Sequence, residues 1–322
     1  MSKIAIVFIF LNYAQAALIP SCEKGKCGYI DDISGKKEIA FSYDAARPFS
    51  KDSAAVLKKG LWGLIDKKGK WIVKPKFLEI KECFEGICAA RERKYWGYVD
   101  SKGKKLTDFE FENALAAREG YAPVKTKKGW AIINLITKDT INLAYEEIFP
   151  FSQGLARIKR NGKYGYINIK GEEVLPPVYE KAFDFNSGYA TAMFDSDWGF
   201  ISAENLAFKK KEFESIGPYS QGLAPAHYQI DGKLLCGYVD KDGMEKISFR
   251  YSMCSHFRGN MAAVLKDIKG KWGFIDQNGN QITPFKYDSI YGFYDGFYMA
   301  IENGKSFYIT SSGKEYPYLE IK

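Results

Sequence analysis

Lys271-Trp272-Gly273-Phe274-Ile275-Asp276-Gln277-Asn278-Gly279 decides the fold, because its pattern returns along the whole chain. Trp62-Gly63-Leu64-Ile65-Asp66 and Trp96-Gly97-Tyr98-Val99-Asp100 are close copies. Related copies sit at Gly28, Gly165, Gly199 and Gly237, and two worn ones carry Ala131 and Phe307 in the glycine slot. From Gly28 to Phe307 the slots lie 35, 34, 34, 34, 34, 38, 36 and 34 residues apart, which makes nine units. A fixed period of this size marks a repeat architecture, in which each unit buries its apolar face against its neighbours.

Within a unit the pattern is all-β. Leu155 to Arg160 alternates with the period of two that a strand requires. Asn161-Gly162 then supplies a tight-turn pair that tolerates positive φ, so the first element is a hairpin. A second turn has fixed chemistry: Asp66…Gly69, Asp100…Gly103, Asp240…Gly243 and Asp276…Gly279. The acidic side chain bonds its own backbone, and the glycine takes the left-handed conformation. Asn205 is expected to take that conformation after Ser202, whereas Thr137 breaks the rule, so the turn at Asn134 should be distorted. A third strand follows, stopped by Pro176-Pro177 or Pro284, and a short fourth leads into Phe-x-x-Gly, as in Phe151-Ser152-Gln153-Gly154. Unit starts fall near residues 17, 52, 86, 120, 154, 188, 222, 260 and 296.

The ends and the cysteines speak to compartment. Lys3, the apolar run Ile4 to Leu11 and Ala14-Gln15-Ala16 have the order of a secretory signal peptide, expected to span residues 1–16 and to be cleaved before Ala17. That run is too short to span a bilayer, so no transmembrane anchor is expected. Ile19-Pro20-Ser21-Cys22 fits a lipid-attachment box poorly. All six cysteines follow the cleavage point, an even number that favours disulfides in an exported chain. Proximity and repeat position suggest Cys22 with Cys27, Cys83 with Cys88, and Cys236 with Cys254, against the alternative of reduced, buried filler. The net charge of +8 is modest for 322 residues, and its lysines recur at turn tips. Nucleic acid is not an expected partner outside the cytoplasm.

Candidate sites are sparse. The slot tryptophans read as core packing, since Cys236 and Ser306 replace them in sister units. Trp71 occupies a position held by Lys105, Glu173 and Gln281 elsewhere, which predicts an exposed ring able to make contacts. Tyr95 is a second surface aromatic. Insertions around Tyr228 to Gly232 and Lys266 to Gly270 lengthen two adjacent hairpins, placing Tyr228, Asp231 and Lys269 on tips where binding loops usually sit. Asp240-Lys241-Asp242-Gly243 resembles the start of a calcium loop, but Tyr251 stands where such a loop needs glutamate, so no metal is expected. His227 and His256 have no catalytic motif beside them, and Cys254 next to His256 has a disulfide partner in Cys236. No catalytic residue and no cofactor are expected.

The cassette at Lys271 to Gly279 and Phe151-Ser152-Gln153-Gly154-Leu155-Ala156 resemble the bacterial WG, or KWG, repeat, over essentially all of residues 17–322. The resemblance implies an array of β-rich units in exported or surface-associated proteins. It carries over no catalytic residue. An open β superhelix is the favoured architecture, because 34 residues are short for a four-stranded blade; a closed, propeller-like array is the alternative. The expected function is a protein-interaction or scaffold module of the cell envelope, periplasmic, extracellular or at the cell surface. The alternatives are a carbohydrate or cell-wall binder, using Trp71 and Tyr95 as sugar platforms, and a hydrolase on a propeller.

Overall fold

Glu147–Ser152, Leu155–Arg160, Lys163–Asn168 and Glu173–Tyr179 form one antiparallel meander in the computed structural model of the protein, which describes residues 17–81, 83–294 and 296–318. The expected signal peptide, residues 1–16, lies outside the described residues. Gln153-Gly154 and Asn161-Gly162 each place two consecutive residues at positive φ and so close the first two turns. The slot glycine has a steric cause. The outer strand passes so close over Gly165 that a Cβ there would lie 2.6 Å from the Leu175 carbonyl oxygen and 2.7 Å from the Pro177 nitrogen. The ladder shifts register at that point.

Nine such sheets follow in chain order, six with four strands and three with three. From the second onward, each sheet begins seven residues before the corresponding sequence unit, at Ala45 rather than 52 or Glu147 rather than 154, whereas the first begins at Leu18. The short strand ending one sequence unit is therefore the innermost strand of the next blade. In the third and eighth blades Thr107 and Thr283 stand in for outer-strand backbone, each hydroxyl accepting from the N–H of Tyr98 or Phe274 at 3.0 Å.

The sheets close into a nine-bladed propeller, not the open superhelix that the unit length favoured. Six-residue strands joined by tight turns fit four strands into a short unit, so the length argument fails. Closure is direct: Ile19 and Ile30 of the first blade share a buried cluster with Phe297, Tyr308 and Tyr316 of the ninth. Lys314 Nζ donates to the Asp32 carbonyl at 2.9 Å, and the Tyr316 hydroxyl donates to the same carbonyl.

Between blades, the residue after the slot glycine is the deepest side chain. Tyr29, Tyr98, Tyr166 and Tyr238 are fully buried, and each hydroxyl donates to a carbonyl of the next blade: Arg47, Leu115, Phe183 and Ser255, at 2.6 to 2.8 Å. Leu64, Ile132, Phe200 and Phe274 take that position in the alternate blades. Of the slot tryptophans, Trp96 and Trp198 are buried in the core as expected. Trp62, Trp130 and Trp272 are half-buried, and cations cover several, with Arg47 4.7 Å over Trp62 and Lys81 4.4 Å over Trp96.

Three turns depart from the sequence rule. At Asp31, Asn134 and Ser202 the turn is one residue longer, so Gly35, Lys138 and Leu206 take positive φ, and Asn205 does not. The longer turn leaves Ile136 83% exposed. Disulfides join Cys22 to Cys27, Cys83 to Cys88 and Cys236 to Cys254, the pairs that proximity suggested. No helix among the described residues is long and apolar enough to cross a membrane.

Candidate functional site

From the second blade onward the innermost strand leads into the Phe-x-x-Gly turn or its equivalent, and the residue after the aromatic position faces the propeller axis. Phe84, Arg118, Ser152, Asn186, Ser220 and Arg258 are six successive copies of that position, in blades three to eight, and all line one axial cavity of about 460 Å³. Phe183, Asp184, Pro218, His256 and Phe293 complete much of its wall, so seven blades contribute. One residue earlier, Cys83, Ala117, Phe151, Phe185, Tyr219 and Phe257 are all buried and hold the strands in place.

Charge in the cavity is uneven. Arg157 is engaged in the scaffold: Nε pairs with Asp184 at 3.1 Å, Nη1 donates to the Ala182 carbonyl at 2.5 Å, and the guanidinium lies 3.8 Å over Phe149. Arg118 stacks 4.4 Å over Phe84, and its buried Nε has no hydrogen-bond partner. Arg258 Nε donates to His256 Nε2 at 2.5 Å. Burial, with the Arg258 charge adding, pushes His256 down to about 4, so the imidazole is neutral and can accept that bond. Among the described residues, no carboxylate pairs with Arg118 or Arg258.

A second cleft of about 310 Å³ adjoins the axial cavity and shares Phe183, Pro218 and His256 with it. Gly217 lines it at a position that sister blades fill with Arg47, Lys81, Phe149 or Phe183, and Pro225 lies so close that a Cβ there would meet its ring at 2.7 Å. Trp198 stacks on Phe183 along one side, with Lys181 5.7 Å over its ring. His227 lies on another side, its Nδ1 3.0 Å from Ser215 Oγ and its ionisation lowered by burial. The two histidines that lack a motif in sequence thus line one cleft. Cys254 beside them is tied to Cys236 and offers no thiol.

The sequence candidates are dispersed. Trp71 is half-buried rather than exposed, edge-on to Tyr43 at 5.7 Å and lying over Gly63, where a Cβ would meet its ring at 2.8 Å. The glycine slot of its own blade gives the ring a bed that repeat position alone did not reveal. Tyr95 lines a lateral cleft of about 540 Å³ with Phe109, Phe111, Lys127 and Lys128. Tyr228 is 45% exposed and caps the stacked pair Phe213 and Phe249. Asp231 takes positive φ at the tip of the seventh hairpin, and Lys269 is exposed on the loop of the eighth. Sequence reading passed over Arg118 and Arg258. The signal was the x of Phe-x-x-Gly, where arginine twice replaces the serine of Ser50, Ser152 and Ser220.

The family described as "WG containing repeat" matches residues 28–62, 62–95, 96–130, 140–164, 164–198, 237–271 and 272–305. A comparison with curated proteins returns no match. Among solved structures, a crystal structure of the eukaryotic initiation factor is similar over 95% of this chain and 98% of its own, with 12% identity and a TM-score of 0.63. Hsv2p of Kluyveromyces lactis is similar over 77% of this chain and 97% of its own, with 11% identity and a TM-score of 0.43. The extracellular domain of a putative one component system from B. thetaiotaomicron aligns over 94% of this chain and 58% of its own, with 11% identity and a TM-score of 0.35. At such identities the likeness to the initiation factor is one of fold.

Proposed function

The chain belongs to the family of WG-containing repeats, and from that premise we propose that it is a non-enzymatic binding module of the cell envelope, which contacts a partner protein at the axial mouth. One observation carries this reading. Along the inner strands the scaffold position is apolar and buried in every blade from three to eight, while its neighbour facing the cavity changes freely among aromatic, cationic and small polar residues. Stability asks for the first kind of uniformity; recognition asks for the second kind of variety. Three disulfides support an oxidising compartment, consistent with export. Photo-crosslinkers at Asn186 on the mouth and at Lys269 on the opposite hairpin side test it in extracts of the producing cell. A discrete adduct from Asn186 supports the proposal; adducts from Lys269 alone overturn it.

A second reading rests on the lateral cleft, where Tyr95 and Phe109 present aromatic surface beside Lys127 and Lys128. Aromatic faces of this kind suit sugar rings. Retention on purified peptidoglycan that Tyr95→Ala abolishes would favour this cell-wall reading over the first.

A further inference from the structure

The axial cavity holds two arginines whose charge the scaffold does not use. Arg157 is spent on Asp184 and on a carbonyl. Arg118 and Arg258 both line the cavity, and no described carboxylate pairs with either. They belong to blades four and eight in a ring of nine, so they approach the axis from nearly opposite sides. Each is held in orientation by an uncharged partner: Arg118 by the face of Phe84, and Arg258 by Nε2 of His256. A guanidinium fixed in this way keeps its remaining N–H groups for an incoming acceptor. Its planar fork matches a carboxylate in two parallel bonds. The wall carries Phe84, Phe183 and Phe293 beside polar Ser152, Asn186 and Ser220, and its Asp184 carboxylate is already paired with Arg157.

We infer that the axial cavity is a binding site for a ligand bearing two carboxylates, one for Arg118 and one for Arg258. The inference rests on the reading of the axial mouth as the contact surface and gives that contact its chemistry. The two carboxylates belong either to a small polycarboxylic acid or to neighbouring acidic side chains of a peptide, and both share the same recognition. A single carboxylate engages one arginine only and leaves the other uncompensated. Basic ligands are repelled from the mouth.

Titration calorimetry on the purified full chain tests the inference with three probes: citrate, acetyl-tetraglutamate amide, and acetyl-tetraglutamine amide as the neutral control. The expected result is binding of citrate or of the glutamate peptide and none of the glutamine peptide, weakening as salt is raised. Binding of citrate identifies a small-molecule site, and binding of the peptide alone identifies a protein segment; either supports the inference. Arg118→Gln and Arg258→Gln should each weaken binding about tenfold or more, while Arg118→Lys, which keeps the charge and loses the fork, should fall between. Thermal midpoints of the variants separate lost binding from lost folding. Equal binding of the glutamine peptide, or full affinity in the double Gln variant, overturns the inference. An Asn186 crosslink to a partner would still stand in that case, so the contact surface and its carboxylate chemistry fail separately.

Discussion

The interface between the fifth and sixth blades and the seam between the ninth and first bury similar side chains but are held differently. At the former, the chain itself crosses through Glu180, and Tyr166 packs on Phe185 at 4.9 Å while its hydroxyl bonds the Phe183 carbonyl at 2.6 Å. Ser152 adds a bond to the Phe185 carbonyl, and Gln153 Oε1 accepts from the Gly188 N–H at 2.9 Å. No described chain segment crosses the seam. There Lys314 and Tyr316 reach over to the carbonyls of Asp32 and Ile33. Those carbonyls lie in one of the turns that are a residue longer than the rest, running from Asp31 to Gly35. A local loosening of the repeat thus supplies the acceptors that lock the ring. The lesson is that sequence-adjacent blades are joined by covalent proximity plus a repeated polar clamp, whereas closure leans on outer-strand side chains reaching the neighbouring turn, a device that Lys211 and Arg250 also use toward Asp242 and Gly279.

Breaking each interface ranks these contributions. Tyr166→Ala removes a fully buried ring and should cost about 3–5 kcal/mol in denaturant unfolding. Ile19→Ala at the seam should cost about 2–4 kcal/mol, and only this variant should also enlarge the molecule in size-exclusion chromatography.

Acidity probes a third region, blade eight. Its His256 titrates below the ordinary 6.5, at about 4. The unfolded chain therefore binds more protons between these two values, so the contribution is full above 6.5 and is lost as pH falls towards 4. With partial exposure discounted, the slope should amount to about 2 kcal/mol, and His256→Gln should flatten it in thermal melts across that window.

Tyr166→Phe keeps the ring and strands the Phe183 carbonyl, for a loss of about 1–2 kcal/mol. The alternate blades already carry Phe200 or Phe274 at that position, so a tyrosine there should bring no comparable gain. Smallest of all, Glu119 accepts the N–H groups of Gln153 and Gly154 from the next blade. Glu119→Gln should change stability by about 0.5 kcal/mol or less, because Gln153 makes the same bond one blade on.

Much of this was legible in the residues themselves. The glycine slot, the Asp…Gly turns and the hairpin pairs are local, and local sterics fix them: only glycine accepts the strand lying over Gly165. The disulfides followed from pairs close in sequence and repeat. What stayed hidden depends on relations between distant units. Closure is settled by Ile19 meeting Tyr308 across nearly the whole chain. Trp71 is half-buried on the bed that Gly63 makes, which its sister positions Lys105 and Glu173 do not use. The axial arginines were overlooked because Arg118 and Arg258 occupy variable positions, and pattern reading attends to what repeats.

Small-angle scattering from the purified protein tests the closed ring most directly. A propeller of this chain length predicts a radius of gyration of about 20 Å. Nine sheets stacked in an open array at about 10 Å spacing would instead extend to about 90 Å. A compact, disc-like envelope is the predicted result, and an elongated rod would contradict the account.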